Sequence, residues 1–299
     1  MAEQIWKLKQ QLCDVGTKIW QRGFCAGNEG NHSVRIGEDR VLCTPTGYSK
    51  GSLTPDMVCL VDMDGKQIDT ANKYKRTSEV LVHLAIYKKR PDVRAVIHSH
   101  PPHATAFAIA GIPLPEGIHP EAEVFLGRVP TAPYATPSKQ DLPDSIIPLI
   151  DEHTNSVLMG NHGVVCFSKS LEDTYYKLEI LDAYSRILML VKQLGAVNVL
   201  DSNQMTELLE VKQNFGMPDK RLACAPTGCI GDVNEPFLAT FDVRPATASC
   251  NCDGGAVQNI PSASTTTTTT NGNGSATIGD QEFEQMVQQI TDQILAAAG

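Results

Sequence analysis

Short β-rich runs, RVLCTP, MVCLVD, RAVIHSH, SVLMG and VVCFS, alternate along this chain with longer segments whose apolar residues recur at helical intervals. That alternation constrains the fold more than any other feature. Each run needs sheet partners, and each intervening helix carries an apolar stripe that has to be buried on the sheet. The expected class is therefore α/β, with helices covering a sheet. SVLMG and VVCFS flank Asn161-His162-Gly163 at hairpin spacing, so part of the sheet is expected to be antiparallel.

The N-terminal segment places Ile5, Leu8, Leu12, Val15 and Ile19 at helical intervals among polar and charged residues. This is an amphipathic folded helix and not the unbroken apolar stretch of a signal peptide. No apolar run approaches the roughly 20 residues of a membrane span. The expectation is a protein of the cytoplasm, or of a compartment filled from it, with no membrane partner. Nine cysteines without a regular framework are expected to be reduced thiols, with no disulfides. Cys224, Cys229, Cys250 and Cys252 are too irregularly spaced for a second metal site. A net charge of −9 provides no basic footprint for nucleic acid, so the expected ligand is a small molecule.

Three regions follow from composition. Residues 1–250 read as a catalytic domain with a C-terminal extension. Within that extension a helix is expected around 203–214, followed by a stretch containing Pro, Gly and Cys. Residues 251–279 are dominated by Gly, Ser, Thr and Asn, with too little apolar surface to offset the entropy of ordering, and read as a linker. Residues 280–299 carry Phe283, Met286, Val287, Ile290, Ile294 and Leu295 on one helical stripe, a short amphipathic helix on a tether.

Four segments carry chemistry. In RAVIHSHPPHA, alternation along a strand puts His98 and His100 on one face, and Pro101 and Pro102 end the strand there. His162 lies in a turn flanked by Gly160 and Gly163, which allow close backbone approach and positive φ. Three imidazoles with an open fourth position match a catalytic zinc site, whereas any one of them alone reads as a strand-edge or turn residue. In KRTSEVLVHLAIYKKRP, Thr77 or Ser78 suits an N-cap and Glu79 the first helical turn. Glu79 either simply favours the helix dipole or serves the metal site as an acid/base. The turns GNEGN and TPTG, followed by Lys50, expose backbone N–H groups of the kind a phosphate cradle uses.

Taken in order, GNEGNHSVR, TPTGYSK, RTSEVLVHLAIY, VIHSHPPHATAFA, PYATPS and GNHGVV resemble the motif series of the class II aldolase/adducin family, over roughly residues 5–195. The resemblance implies a three-layer sandwich with a largely antiparallel or mixed central sheet between helices. It implies one Zn2+ per subunit held by His98, His100 and His162, with Glu79 as the acid/base that can also touch the metal. Asn31, Thr46, Gly47, Thr77 and Ser78 fall at substrate-phosphate positions. Glu79 in the T-S-E triplet favours the aldolase branch over the epimerases, which carry Asp there. One departure concerns Pro120, close to where the fuculose-phosphate enzymes place a tyrosine. That leaves Glu123 and Tyr134 as candidates for the acid that protonates the departing aldehyde, and Glu123 also lies where the epimerases have a catalytic Asp.

The implied reaction cleaves a ketose 1-phosphate, L-fuculose or L-rhamnulose 1-phosphate, to dihydroxyacetone phosphate and lactaldehyde. The alternative is a 4-epimerase or dehydratase on the same zinc scaffold. An adducin-like binding role is disfavoured because all three histidines are present. By the same resemblance the chain is expected to form a homotetramer. The terminal segment 280–299 resembles the encapsulation peptides that carry enzymes into bacterial microcompartments, so its expected partner is a shell protein, with a neighbouring subunit as the alternative.

Overall fold

Seven strands form one sheet: β1 (Asn31–Ile36), β2 (Arg40–Cys43), β3 (Cys59–Asp62), β4 (Ala95–Ser99), β5 (Thr131–Ala132), β6 (Ser156–Met159) and β7 (Gly163–Ser168). Their order is β3-β2-β1-β4-β7-β6-β5, and every neighbouring pair is antiparallel except β5 with β6. In this computed structural model the described residues are 2–239 and 242–245. The linker and the terminal segment 280–299 lie outside them.

Helices cover both faces, giving three layers. On one side lie α1 (Ala2–Gln21), α3 (Pro102–Ala110) and α6 (Leu171–Leu194); on the other lie α2 (Val80–Lys89) and α5 (Asp141–Ile146), while α4 (Pro120–Phe125) follows α3 in the chain. The period-2 alternation of strand side chains divides the core accordingly. Ala95, Ile97, Val164 and Cys166 pack with Leu12, Phe107 and Leu181 on one face. Val96, Val165 and Phe167 pack with Val80, Ile86, Tyr87 and Ile146 on the other. Such two-sided burial is what an α/β sheet requires, and it explains why these runs are nearly continuously apolar.

The part of the chain after α6 is the least regular. β8 (Ala196–Val199) pairs in parallel with β9 (Asp242–Pro245), and α7 (Ser202–Asn214) starts at Asp201 with a complete capping box to Gln204. The short helix α8 spans Glu235–Leu238. A buried ion cluster ties this extension to α4. Arg221 Nη1 lies 2.8 Å from Glu123 Oε2 and 3.7 Å from Glu116 Oε2, and Lys212 and Arg221 both reach Asp219.

One expectation is corrected here. Cys224 and Cys229 form a disulfide, their Cα atoms 5.6 Å apart, where only free thiols were expected. The 3-10 turn Ala225–Thr227 folds the intervening residues back on themselves and brings the two sulfurs together, which spacing alone does not reveal. Cys13, Cys25, Cys43, Cys59 and Cys166 are free and buried.

Candidate active site

His98 is the penultimate residue of β4, and His100 follows its end. His98 shares the β4 face of Val96, toward α2, and its Cα pairs with that of Asn31 in β1. His162 enters from the β6–β7 turn. The three rings meet: His98 Nε2 and His100 Nε2 are 3.1 Å apart, and one ligand atom from each of the three histidines lies within 4.8 Å of the others. Glu79, the N-cap of α2, closes the group. Its Oε2 is 3.3 Å from His98 Nε2 and its Oε1 3.6 Å from His162 Nε2.

These residues fit a divalent cation. His98 Nδ1 faces the Val164 carbonyl at 2.9 Å and can only donate to it, and His100 Nδ1 lies 2.8 Å from Glu29 Oε2. Each ring is thereby left with a free lone pair on Nε2. Burial, followed by the neighbouring His100 and His162, holds the His98 imidazole well below the usual histidine range. His162 is lowered too, chiefly by burial. These two rings, His98 and His162, are therefore neutral near neutral pH, the form a metal requires. Glu79 Oε1 is buried without a hydrogen-bond partner, an orphaned anionic oxygen aimed at the same point.

Glycines shape the turn differently from the sequence reading. Neither Gly160 nor Gly163 has positive φ; the left-handed residue is Asn161, at 55°. The glycines serve close approach instead. A Cβ on Gly163 would sit 2.4 Å from His100 Cδ2 and 2.7 Å from Ser99 O, and one on Gly160 2.8 Å from Ala132 O.

Beside the histidines opens a cleft of about 230 Å3. Asn31, Thr46, Gly47, Thr77 and Ser78 line it together with Glu79, His98 and His100. Thr77 N–H donates to Thr44 O at 3.0 Å, which docks the start of α2 on the TPTG turn. Glu79 stands one residue before the helix and not in its first turn; Thr77 Oγ1 accepts its N–H at 3.3 Å. A larger cleft, about 470 Å3, opens beside Arg128, His153 and Lys220 and shares no lining residue with the histidine site. We assign the chemistry to the smaller one, because only there do neutral imidazoles and an unpaired carboxylate oxygen converge.

The two remaining candidates lie apart from this cleft lining. Glu123 is 2% exposed, accepts the Gly117 N–H at 2.6 Å and is ion-paired with Arg221. Tyr134 is 60% exposed, on the loop whose Pro137 and Ser138 do line the cleft. The third histidine of the RAVIHSHPPHA segment, His103, is held by Asp182 at 2.9 Å.

Residues that the sequence reading left unassigned hold the site in place. His83 is fully buried, with Nε2 2.6 Å from Asn31 Oδ1 and Nδ1 2.7 Å from Ser33 Oγ. Tyr87 OH lies 2.8 Å from the same Ser33 Oγ. Burial depresses the His83 imidazole to about 3, so the ring is neutral, donating to Asn31 and accepting from Ser33. Asn31 in turn donates through Nδ2 to Glu79 Oε2 at 2.8 Å. The signal was present in sequence: Glu79, His83 and Tyr87 are spaced i, i+4, i+8 on one side of a helix, opposite the i, i+2 strand pair Asn31 and Ser33. Lys50, 1% exposed, donates to Asn28 O at 2.9 Å and Tyr48 O at 2.6 Å and so clamps the GNEGN and TPTG turns together.

Comparison with known proteins agrees with this architecture. The family described as Class II Aldolase and Adducin N-terminal domain matches residues 10–189. An L-fuculose phosphate aldolase of Methanocaldococcus jannaschii is 34% identical over 182 residues, 61% of this chain and 96% of that protein. A 3-oxo-tetronate 4-phosphate decarboxylase of Cupriavidus necator is 28% identical over 69% of this chain and 96% of its own length. A solved structure of L-fuculose 1-phosphate aldolase superposes with a TM-score of 0.64 at 27% identity, covering 69% of this chain and 96% of that one. This chain, in which three histidines that could hold a metal ion come together, belongs to the class II aldolase/adducin family and is a metal-dependent aldolase of that family.

Proposed function

We propose that the enzyme cleaves a ketose 1-phosphate, L-fuculose or L-rhamnulose 1-phosphate, to dihydroxyacetone phosphate and lactaldehyde, with one Zn2+ per subunit. One observation carries the reading: the three histidine Nε2 atoms and Glu79 converge at the edge of a cleft lined by Asn31, Thr46, Gly47, Thr77 and Ser78. His98, His100 and His162 would hold the ion, and an all-imidazole donor set with a fourth position open suits zinc. When bound, the ion supplies the Lewis-acid stabilisation that a carbanion beside a carbonyl needs near neutral pH. Asn31 and the threonine and serine hydroxyls accommodate the phosphate through hydrogen bonds, which fixes the reacting carbons relative to Glu79. Glu79 returns a proton to the carbon that loses its neighbour, a role typically contributing about 10²–10⁴-fold. Tyr134 is the better placed of the two candidates to act at the aldehyde oxygen, taking up the proton that the hydroxyl loses as its carbon becomes the aldehyde, because it is exposed on a cleft-bordering loop whereas the Glu123 carboxylate is enclosed with Arg221.

Incubating the zinc-loaded enzyme separately with fuculose 1-phosphate, rhamnulose 1-phosphate and ribulose 5-phosphate tests the assignment. Triose phosphate and lactaldehyde from either of the first two support it; a 4-epimer from the third, with no cleavage, gives the epimerase reading. The Cupriavidus necator relative supports including 3-oxo-tetronate 4-phosphate, for which release of carbon dioxide marks a decarboxylase.

The family precedent supports a homotetramer. The stripe in 280–299, outside the described residues, supports binding to a microcompartment shell. Deleting 280–299 is then expected to leave turnover intact while releasing the enzyme from purified compartments, and 1–250 is expected to suffice for catalysis.

A further inference from the structure

The three imidazoles have three different outer environments. His98 Nδ1 meets a backbone carbonyl, His162 Nδ1 is buried without a partner, and His100 Nδ1 meets a carboxylate, Glu29 Oε2, at 2.8 Å. We infer that Glu29 is a positioning residue for the metal, orienting His100 and raising its basicity, an inference that rests on the metal-site reading above.

The geometry around Glu29 is fixed from several directions. Lys50 holds the carbonyl of the preceding residue, Asn28, at 2.9 Å. On the other side, Gly30 lies so close to the His98 carbonyl that a Cβ there would come within 3.2 Å of it. His100 is pinned to the same segment by its N–H, which donates to Phe24 O at 2.9 Å. Both carboxylate oxygens are engaged: Oε1 accepts the Ala26 N–H at 2.6 Å and Oε2 faces His100. Glu29 therefore lines the cleft with each carboxylate oxygen already holding a partner.

The Glu29 contact is on the Nδ1 edge of the ring, away from the Nε2 that meets His98, so Glu29 acts through His100 and not as a ligand itself. A carboxylate in that place fixes the tautomer with the proton on Nδ1, stops the ring from turning about its axis, and increases electron density at Nε2. A neutral acceptor would provide the first two effects without the third. His162 has no such partner on its Nδ1, so Glu29 supplies the one carboxylate contact to an outer ring nitrogen in the triad.

The test compares wild type with E29Q and E29A in full-length protein. It measures zinc affinity by chelator competition, the visible absorption of the Co2+-substituted protein, and melting of the metal-free protein. E29A is expected to weaken zinc binding by about 10–100-fold and to shift the Co2+ bands, as losing an outer carboxylate does elsewhere. E29Q, whose amide oxygen still accepts from Nδ1, is expected to fall between E29A and wild type. Metal-free melting is expected to change little, which a purely structural role for the Ala26 contact would not allow. Wild-type affinity and an unshifted Co2+ spectrum in both variants would overturn the inference. Should E29A fail to fold, E29Q decides alone, a wild-type affinity and spectrum then counting against it. A wild-type protein that takes up neither ion would instead overturn the metal-site reading itself, a result distinct from failure of the Glu29 comparison.

Discussion

Asn31 donates its side-chain amide to Glu79 at 2.8 Å while its carbonyl oxygen accepts from buried His83 at 2.6 Å. The amide therefore cannot flip without losing both bonds, and Glu79 Oε2 is held toward His98 while Oε1 stays free. Asn31→Ala is expected to retain metal but to lose about 10²-fold in kcat, the scale of a misplaced catalytic group. His83→Ala, which touches neither metal nor cleft, is expected to reproduce most of that loss through Asn31. Parallel metal analysis and kinetics check both, and an unaltered kcat in His83→Ala would show that the relay from Tyr87 only packs the core.

Glu79 and His98 should separate by what they remove. Glu79→Gln keeps all three imidazoles and is expected to bind zinc yet lose about 10²–10⁴-fold in turnover. His98→Ala removes the most buried of the three rings and is expected to abolish metal content and turnover together. Full activity in Glu79→Gln would remove the carboxylate from the mechanism.

How far these roles were legible depends on whether local pattern or tertiary approach determined them. Strand and helix periods identified β2, β3, β4, β6 and β7, the antiparallel β6–β7 hairpin and the helix around 203–214. The convergence of His98, His100 and His162 followed from an ordered motif series. By contrast, Glu29 sits in a glycine-rich turn whose backbone suggested a phosphate cradle, and nothing local says that its side chain turns toward a histidine 71 residues on. Glu123 looked catalytic from its alignment with the epimerase Asp. Its enclosure with Arg221, 98 residues away, depends on an extension whose packing no periodicity encodes.

That enclosure has its own consequence. Glu123 and Arg221 are both nearly inaccessible to solvent, 2.8 Å apart, and removing one partner of such a pair typically costs about 3–5 kcal/mol. Because Arg221 keeps Asp219 at 2.8 Å and Glu116 at 3.7 Å, Glu123→Ala is expected to lower stability by less than that in denaturant titration, while the folded fraction retains its kcat. A large loss of kcat at full stability would return Glu123 to the list of acids.

Burial also sets an acid limit. The imidazole of His32 is depressed to about 4 and that of His83 to about 3, in both cases chiefly by desolvation. In the unfolded chain both return to about 6.5. Between those values the unfolded state binds the extra protons, so stability is fully present above about 6.5 and is lost as pH falls. The slope is at most about 1.4 kcal/mol per pH unit for each ring. Denaturant unfolding of the metal-free protein between about pH 7 and 4.5 should show this decline, and a flat profile would contradict the burial of neutral rings.

The tight space around Gly163 gives the most selective prediction. Gly163 has ordinary backbone torsions, so alanine introduces no φ penalty there; its cost comes from the Cβ, which would stand 2.4 Å from His100 Cδ2 and 2.7 Å from Ser99 O. Turning the His100 ring relieves only the first approach. The second is to the Ser99 backbone carbonyl, beside the β4–β7 ladder where Ser99 pairs with Val164, so the end of β4 must shift as well and carries His100 with it. Moving that residue breaks the approach of His100 Nε2 to His98 Nε2 at 3.1 Å and pulls Nδ1 from Glu29. Gly163→Ala is therefore expected to lose metal affinity by at least the 10–100-fold typical of a disturbed ligand environment. The loss of stability should be about 1–3 kcal/mol, as for an overpacked core position. If calorimetry with zinc and denaturant titration instead showed lost stability and untouched metal binding, the Cβ would be accommodated without displacing His100, and the coupling of Gly163 to the metal site would be wrong.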